Sequence, residues 1–176
     1  MQQFSLVPMN LGASGKRGGY VQTGYWSRRA MNEGSAHLPV VALDQPEQGG
    51  SLALVDDLAY CHVTTNETAD GLAWPSLPDT GELPLVGDCT SNFLTAPLAV
   101  EKFGLLYASA QKNIGPAGLT VVIVREDLLA RSPDSLPALF SYRRLAEADT
   151  TSKEDRGALK QLREQLDAME GPALVA

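Results

Sequence analysis

The chain has 176 residues, 44% of them apolar and 20% charged, with a net charge of −7. That length fits one domain with a real core, one that hides about 70% of the unfolded surface. Arg28-Arg29 and Arg143-Arg144 are the only paired arginines, and without a larger basic block the clustered positive charge of a nucleic-acid groove is excluded; both pairs are expected to be solvated surface. Two cysteines, Cys61 and Cys89, form neither a disulfide framework nor a Cys-x-x-Cys metal site and read as buried, reduced thiols. No run approaches the roughly 18 apolar residues of a membrane span. No basic segment followed by an apolar run opens the sequence. A cytoplasmic protein with no membrane contact is therefore expected.

In chain order, Phe4 to Leu11 reads as a short strand ending in the turn Gly12-Ala13-Ser14-Gly15. Residues 19–33 read as a helix, on a rough apolar stripe of Tyr20, Val21, Tyr25 and Met31. Leu38 to Leu43 is a predicted strand, and Asp44 to Ser51 a loop rich in Gln, Gly and Pro. Leu58 to Thr65 is the next strand, followed by the polar loop Asn66-Glu67-Thr68-Ala69-Asp70-Gly71. Apolar runs at Leu83 to Val86 and Leu105 to Ser109 end at Gly87-Asp88 and Gln111-Lys112. Leu119 to Val124 is nearly continuous and β-branched, as suits a strand buried on both faces. A short helix begins at Arg125 and is closed by Ser132-Pro133. Further on, Ser152 can cap a helix over 153–169, whose Leu159, Leu162, Leu166 and Met169 make one apolar stripe ended by Gly171-Pro172.

Short buried strands interleaved with helical and loop segments predict an α/β layer architecture. In such sheets polar residues just past strand ends sit at a ligand crevice. Three clusters qualify here, around Thr68, Asp88 and Lys112.

Lys112 follows an apolar run beside Gly115 and Gly118. Partial desolvation there would lower its pKa and free the amine as a nucleophile or imine partner. Asp88 either caps the turn made with Thr90 and Ser91 or pairs with a protonated ring nitrogen, which keeps a cofactor ring charged as an electron sink. Trp26 is either a core residue or a flat surface on which an aromatic cofactor stacks. Thr68 offers a hydroxyl in a turn. His37 and His62 lack metal-ligand spacing and read as structural. No Walker loop, nucleophile elbow or zinc motif is present.

Several segments together resemble one family. They are Gln3-Phe4-Ser5-Leu6-Val7-Pro8-Met9-Asn10-Leu11, Gly24-Tyr25-Trp26, Asn66-Glu67-Thr68-Ala69-Asp70-Gly71 and Gly87-Asp88-Cys89-Thr90-Ser91. The most specific is Ala110-Gln111-Lys112-Asn113-Ile114-Gly115-Pro116-Ala117-Gly118, running on to Arg125. In order and spacing they resemble the phosphoserine aminotransferases from about residue 2 to residue 149. The resemblance implies part of the large domain of a fold-type I pyridoxal-phosphate transferase, a mostly parallel mixed sheet flanked by helices, over residues 1–149. Residues 150–176 are expected to be a divergent tail that carries the 153–169 helix.

The same resemblance implies transfer of an amino group between glutamate and 3-phosphohydroxypyruvate in serine biosynthesis, and in some members a related step of pyridoxine biosynthesis. Lys112 would be the Schiff-base lysine and proton shuttle, Asp88 the partner of the ring nitrogen, and Trp26 the stacking residue. Thr68 and Gln111 would also touch the cofactor, Gln111 near its phosphate. The family forms homodimers. Its members are about twice as long as this chain, and their phosphate-binding Gly/Arg turn, Asn-Thr-Pro-Pro-Thr-like loop and C-terminal domain with its substrate-carboxylate arginine have no counterpart here. Two functions follow as expectations: a shortened phosphoserine aminotransferase, or a non-catalytic remnant or interaction protein that keeps the ring-side half of the cofactor site. Another fold-type I transferase is a third.

Overall fold

A computed structural model of the chain describes residues 2–46 and 52–148. The elements run α1 (Gln3–Leu11), β1 (Arg17–Gln22), α2 (Tyr25–Gly34), β2 (Val40–Asp44), β3 (Leu58–Thr64), β4 (Asn66–Glu67), β5 (Leu72–Ala73), β6 (Leu85–Asp88), β7 (Leu105–Ser109), β8 (Thr120–Val124), α3 (Glu126–Leu129) and α4 (Tyr142–Glu147). Six strands form one sheet in the order β2-β1-β3-β6-β7-β8, and β4 and β5 pair separately. All neighbours in the large sheet are parallel except β7 and β8. The predicted mixed, mostly parallel α/β sheet is thus present. The helix expected over 153–169, and most of the Gln/Gly/Pro loop, lie outside the described residues.

Every residue of β3 is buried, as expected for a central parallel strand covered on both faces. Alternation divides its side chains between two cores. Tyr60 joins Phe4, Leu11, Tyr20, Val86, Leu105 and Tyr107 under α1 and α2, and the His62 ring lies against Phe4, Tyr20 and Tyr107. Cys61 and Val63 join Val21, Leu85, Leu106 and Ala108 on the other face, beneath Phe93, Phe103 and Ile114. Both cysteines are free and buried, as the sequence suggested, and burial pushes each thiol up to about 12.

Three elements differ from the sequence reading. Phe4 to Leu11 is helix, not strand. Its apolar residues Phe4, Leu6, Val7 and Leu11 are all buried, and Pro8, inside the helix, removes a single backbone donor. Asn10 then fastens α1 to the far end of the chain. Its Nδ2 donates to the Phe140 carbonyl (2.7 Å), and its Oδ1 accepts from Ser132 Oγ (2.7 Å) and Tyr142 N (2.8 Å).

Residues 17–22 are strand, so the predicted 19–33 helix begins only at Tyr25. Gly18 and Gly19 hide this strand in the sequence. A Cβ on Gly18 would stand 2.7 Å from Tyr60 Oη, and one on Gly19 3.0 Å from Leu43 Cδ1, so neighbouring side chains fill the space that glycine leaves. Finally, β8 is the antiparallel end strand and its residues are exposed or half-buried. Its β-branched run marks strand propensity rather than burial on both faces.

Candidate active site

The expected site residues gather at the carboxyl ends of the parallel strands. From β1 the connection runs through α2 to β2 on one side, whereas the chain leaving β3 passes to β6 on the other. The strand order therefore reverses between β1 and β3, and such a switch point opens a crevice at the strands' carboxyl ends. Trp26 follows β1, Thr68 follows β3, Asp88 closes β6, and Gln111 and Lys112 follow β7.

Trp26 stands in the first turn of α2, half-buried. Its indole Nε1–H donates to Thr68 Oγ1 at 3.2 Å, so two of the expected residues touch directly. The Tyr25 ring packs edge-on against the indole, centroids 5.0 Å apart. The three N–H groups at the start of α2 all end on carboxylates of the segment that follows β3. Tyr25 N donates to Asp70 Oδ2 (2.7 Å), Trp26 N to Glu67 Oε2 (2.8 Å) and Ser27 N to Glu67 Oε1 (2.7 Å). Side-chain oxygens at a helix start satisfy donors that have no partner inside the helix. Ser27 Oγ accepts in turn from the N–H of Thr23 and Gly24, both at 2.9 Å.

In sequence, residues 66–71 look like a polar loop, and nothing local marks Glu67 or Asp70. In the fold Asn66-Glu67 pairs with Leu72-Ala73 as a small hairpin, and Glu67 is fully buried. The partners of its carboxylate lie about forty positions earlier in the chain, in α2. No local pattern announces a contact of that separation.

Asp88 is 7% exposed. Its Oδ1 accepts from Thr90 N at 3.0 Å, as the turn-capping reading foresaw. Burial raises its pKa, Thr90 pulls it back down, and the Glu67 carboxylate pushes it up again. The ion pairs among the described residues are Arg125–Asp127 and Arg143–Asp134, so no cation there compensates Asp88. Tyr107 is its register partner on β7. The Tyr107 hydroxyl is hydrogen-bonded to His62 Nε2 at 2.9 Å, and Phe4 packs edge-on against both rings. Burial drives the His62 pKa down to about 3, so the ring is neutral and structural, as expected.

Loop contacts hold Asp88's surroundings. The Thr65 hydroxyl donates to the Asp88 carbonyl (2.9 Å), Asn66 Nδ2 donates to Ser91 Oγ (2.9 Å), and Ser109 N donates to Thr90 Oγ1 (3.3 Å). These bonds join the ends of β3, β6 and β7.

Lys112 and Gln111 lie in the turn after β7. Ile114 N and Gly115 N both donate to the Ala110 carbonyl (3.2 and 2.9 Å), and Asn113 Nδ2 donates to Phe93 O (2.8 Å). This pins the turn, yet Lys112 and Gln111 are themselves exposed. The expected desolvation of Lys112 is absent among the described residues: its neighbours Gly115, Pro116, Ala117 and Gly118 are exposed as well, and only Ile114 of the turn is buried. No cluster of His, Cys, Asp and Glu among the described residues could hold a metal, and no helix among them is long and apolar enough to cross a membrane.

The arrangement suits a flat, cationic, carbonyl-bearing ring. Asp88 is a buried carboxylate with no side-chain ion pair among the described residues, Trp26 supplies an aromatic face, and Lys112 supplies an amine free of protein partners among the same residues.

Comparison with known proteins agrees. The family profile of the class-V aminotransferases matches residues 3–161. The phosphoserine aminotransferase of Niallia circulans is 44% identical over 150 residues, 80% of this chain and 41% of that protein. The structure of phosphoserine aminotransferase from Bacillus circulans subsp. alkalophilus superposes with a TM-score of 0.79 at 36% identity, over 94% of this chain and 53% of that one. The pyridoxal-phosphate-bound phosphoserine aminotransferase of Trichomonas vaginalis gives 0.76 at 31% identity, over 93% of this chain and 51% of its own. The chain thus spans about two fifths of the curated relative and about half of each solved chain. Its sheet is that of the fold-type I, pyridoxal-phosphate-dependent enzymes, and the chain belongs to the class-V aminotransferases.

Proposed function

We propose that this chain is the cofactor-binding part of a phosphoserine aminotransferase, which exchanges an amino group between glutamate and 3-phosphohydroxypyruvate. The observation that carries the reading is Asp88, a buried carboxylate without a cation among the described residues, placed between the Trp26 and Lys112 segments at the strand ends. The substrate assignment draws on the names of the similar proteins. A homodimer and a cytoplasmic location go with it.

When bound, pyridoxal phosphate supplies an electron sink for the substrate's α-carbon. The protein's part is binding, orientation and proton transfer. Asp88 keeps the ring nitrogen protonated, because the ion pair removes the cost of burying its own charge. Trp26 stacks on the ring, and the Thr68 hydroxyl, which already holds the indole, contacts the cofactor beside it. Gln111 hydrogen-bonds toward the phosphate. Lys112 is the residue whose amine would hold the cofactor's carbonyl carbon, with loss of water, and whose Nζ would carry the proton taken from the substrate's α-carbon.

A second reading has its own observation. Lys112 is exposed and lacks hydrogen-bond partners among the described residues, which favours a chain that binds the cofactor but does not turn over. One experiment addresses both. The purified chain is mixed with pyridoxal phosphate, reduced with borohydride and mapped by mass spectrometry, with Lys112→Ala as control. An adduct at Lys112 is the expected result, and glutamate-dependent transamination with it selects the first reading. An adduct without turnover selects the second reading, and no adduct at Lys112 refutes both.

A further inference from the structure

We propose that Glu67 and Thr68 are positioning residues that together fix the plane of Trp26. The inference deepens the function proposed above and rests on it only for what Trp26 touches. Glu67 is a fully buried carboxylate. Its recorded partners are the N–H groups of Trp26 and Ser27 and the Thr23 hydroxyl, all around the start of α2. The next residue, Thr68, takes the indole N–H of the same tryptophan. Trp26 is therefore held at its main chain and at the far edge of its ring by consecutive residues of another strand's loop. Two such anchors leave the indole little freedom to tilt about its side-chain torsions.

The loop is itself braced. Asp70 N and Gly71 N donate back to the Glu67 carbonyl (3.2 and 2.8 Å), and Gly71 takes φ +69°, where glycine is favoured. The grip spans the switch point, joining the segment after β1 to the segment after β3. The chemistry also requires glutamate. Aspartate is shorter by one methylene, about 1.5 Å, and cannot reach both N–H groups. Glutamine turns an NH₂ group toward one of those donors.

The plainer alternative is that Glu67 only caps α2. Asp70 separates the two, because it caps the same helix at Tyr25 and makes no recorded bond to Trp26. The test uses the 176-residue chain carrying Trp74→Phe, which leaves Trp26 as its one tryptophan and removes a buried indole N–H that has no hydrogen-bond partner among the described residues. Acrylamide quenching of Trp26 is measured without cofactor, and the circular dichroism induced in the reduced pyridoxal-phosphate adduct is measured with it.

Glu67→Gln and Thr68→Val are each expected to raise the quenching constant about twofold, as the loss of a charged or indole hydrogen bond frees the ring. Both are expected to alter the induced signal, while Asp70→Asn leaves quenching at its starting value. Starting-value quenching in Thr68→Val, or an equal rise in Glu67→Gln and Asp70→Asn, overturns the proposal. Should Glu67→Gln fail to fold, Glu67→Asp and Thr68→Val carry the same comparison. An unmodified Lys112 in the parent chain sinks the function proposed above and leaves the quenching result to decide this one.

Discussion

Replacing Asp88 by asparagine removes one buried charge and almost no volume, and its two consequences should have opposite signs. The carboxylate is 7% exposed and is held by Thr90, through its N–H at 3.0 Å and its side chain. Asparagine Oδ1 can accept the same bond. What disappears is a buried charge that Thr90 satisfies only in part among the described residues, and such a deficit costs about 1–3 kcal/mol. The cofactor-free variant should therefore be more stable by that amount, a rise in Tm of roughly 2–10 °C for a chain of this size.

The pH dependence fixes the sign. Burial raises the folded-state pKa of Asp88, so the native state binds its proton more tightly than the unfolded chain does. The penalty is complete above the folded pKa and vanishes as pH falls through it to below the unfolded value of about 3.9. The advantage of Asp88→Asn should be greatest at alkaline pH and shrink steadily as pH falls in urea titrations. Affinity for pyridoxal phosphate should move the other way. The lost charge-assisted bond is worth about 1.5–3 kcal/mol, or roughly 10- to 150-fold in binding. A cofactor-free Asp88→Asn chain less stable than the parent at pH 8 would refute the reasoning, since it would mean that a cation already compensates Asp88.

Two further predictions concern the neighbourhood of Asp88. Gly87→Ala would place a Cβ 2.9 Å from Cδ1 of Phe103, which is buried in the core; overpacking of this kind should cost about 1–3 kcal/mol in urea unfolding, and unchanged stability would show that the ring gives way freely. His62 is held neutral with its pKa near 3, so the unfolded chain gains a proton below about 6.5 that the folded one refuses. Stability should fall as pH drops from about 6.5 toward 3, by at most about 1.4 kcal/mol per pH unit. His62→Phe should lose that slope while leaving the Tyr107 hydroxyl without a recorded partner, and a slope that survives would assign the acid sensitivity elsewhere.

The parts of the fold legible in the sequence were those whose signal is local. Leu58 to Thr65 and Leu105 to Ser109 are apolar runs ending in polar residues, and they are β3 and β7. The segment 17–22 was not legible, because Gly18 and Gly19 lower its strand propensity for the benefit of the Tyr60, Leu43 and Leu58 side chains that fill the space. Phe4 to Leu11 offers only a few apolar positions and a proline, which suit a short strand as well as a short helix; packing over Tyr20, His62 and Tyr107 decides for helix. The same division holds at the site. Lys112, Asp88 and Trp26 stood out through their motifs, whereas Glu67 acquires its role from α2, an element remote in sequence. The exposure of Lys112 was not legible either, since it depends on how the β7–β8 turn packs.

The carboxylates at the start of α2 also impose a direction on anything that enters the crevice. A helix N-terminus is ordinarily a seat for anions, but here Asp70 and Glu67 have taken the N–H groups of Tyr25, Trp26 and Ser27. A ligand with an aromatic body and an anionic end would meet negative charge and spent donors at this edge. It can lie against Trp26 comfortably in one sense only, with its anion turned away from α2. The protein's own acids thus act as a polarity key, rejecting the reversed orientation before any attractive contact has selected the right one.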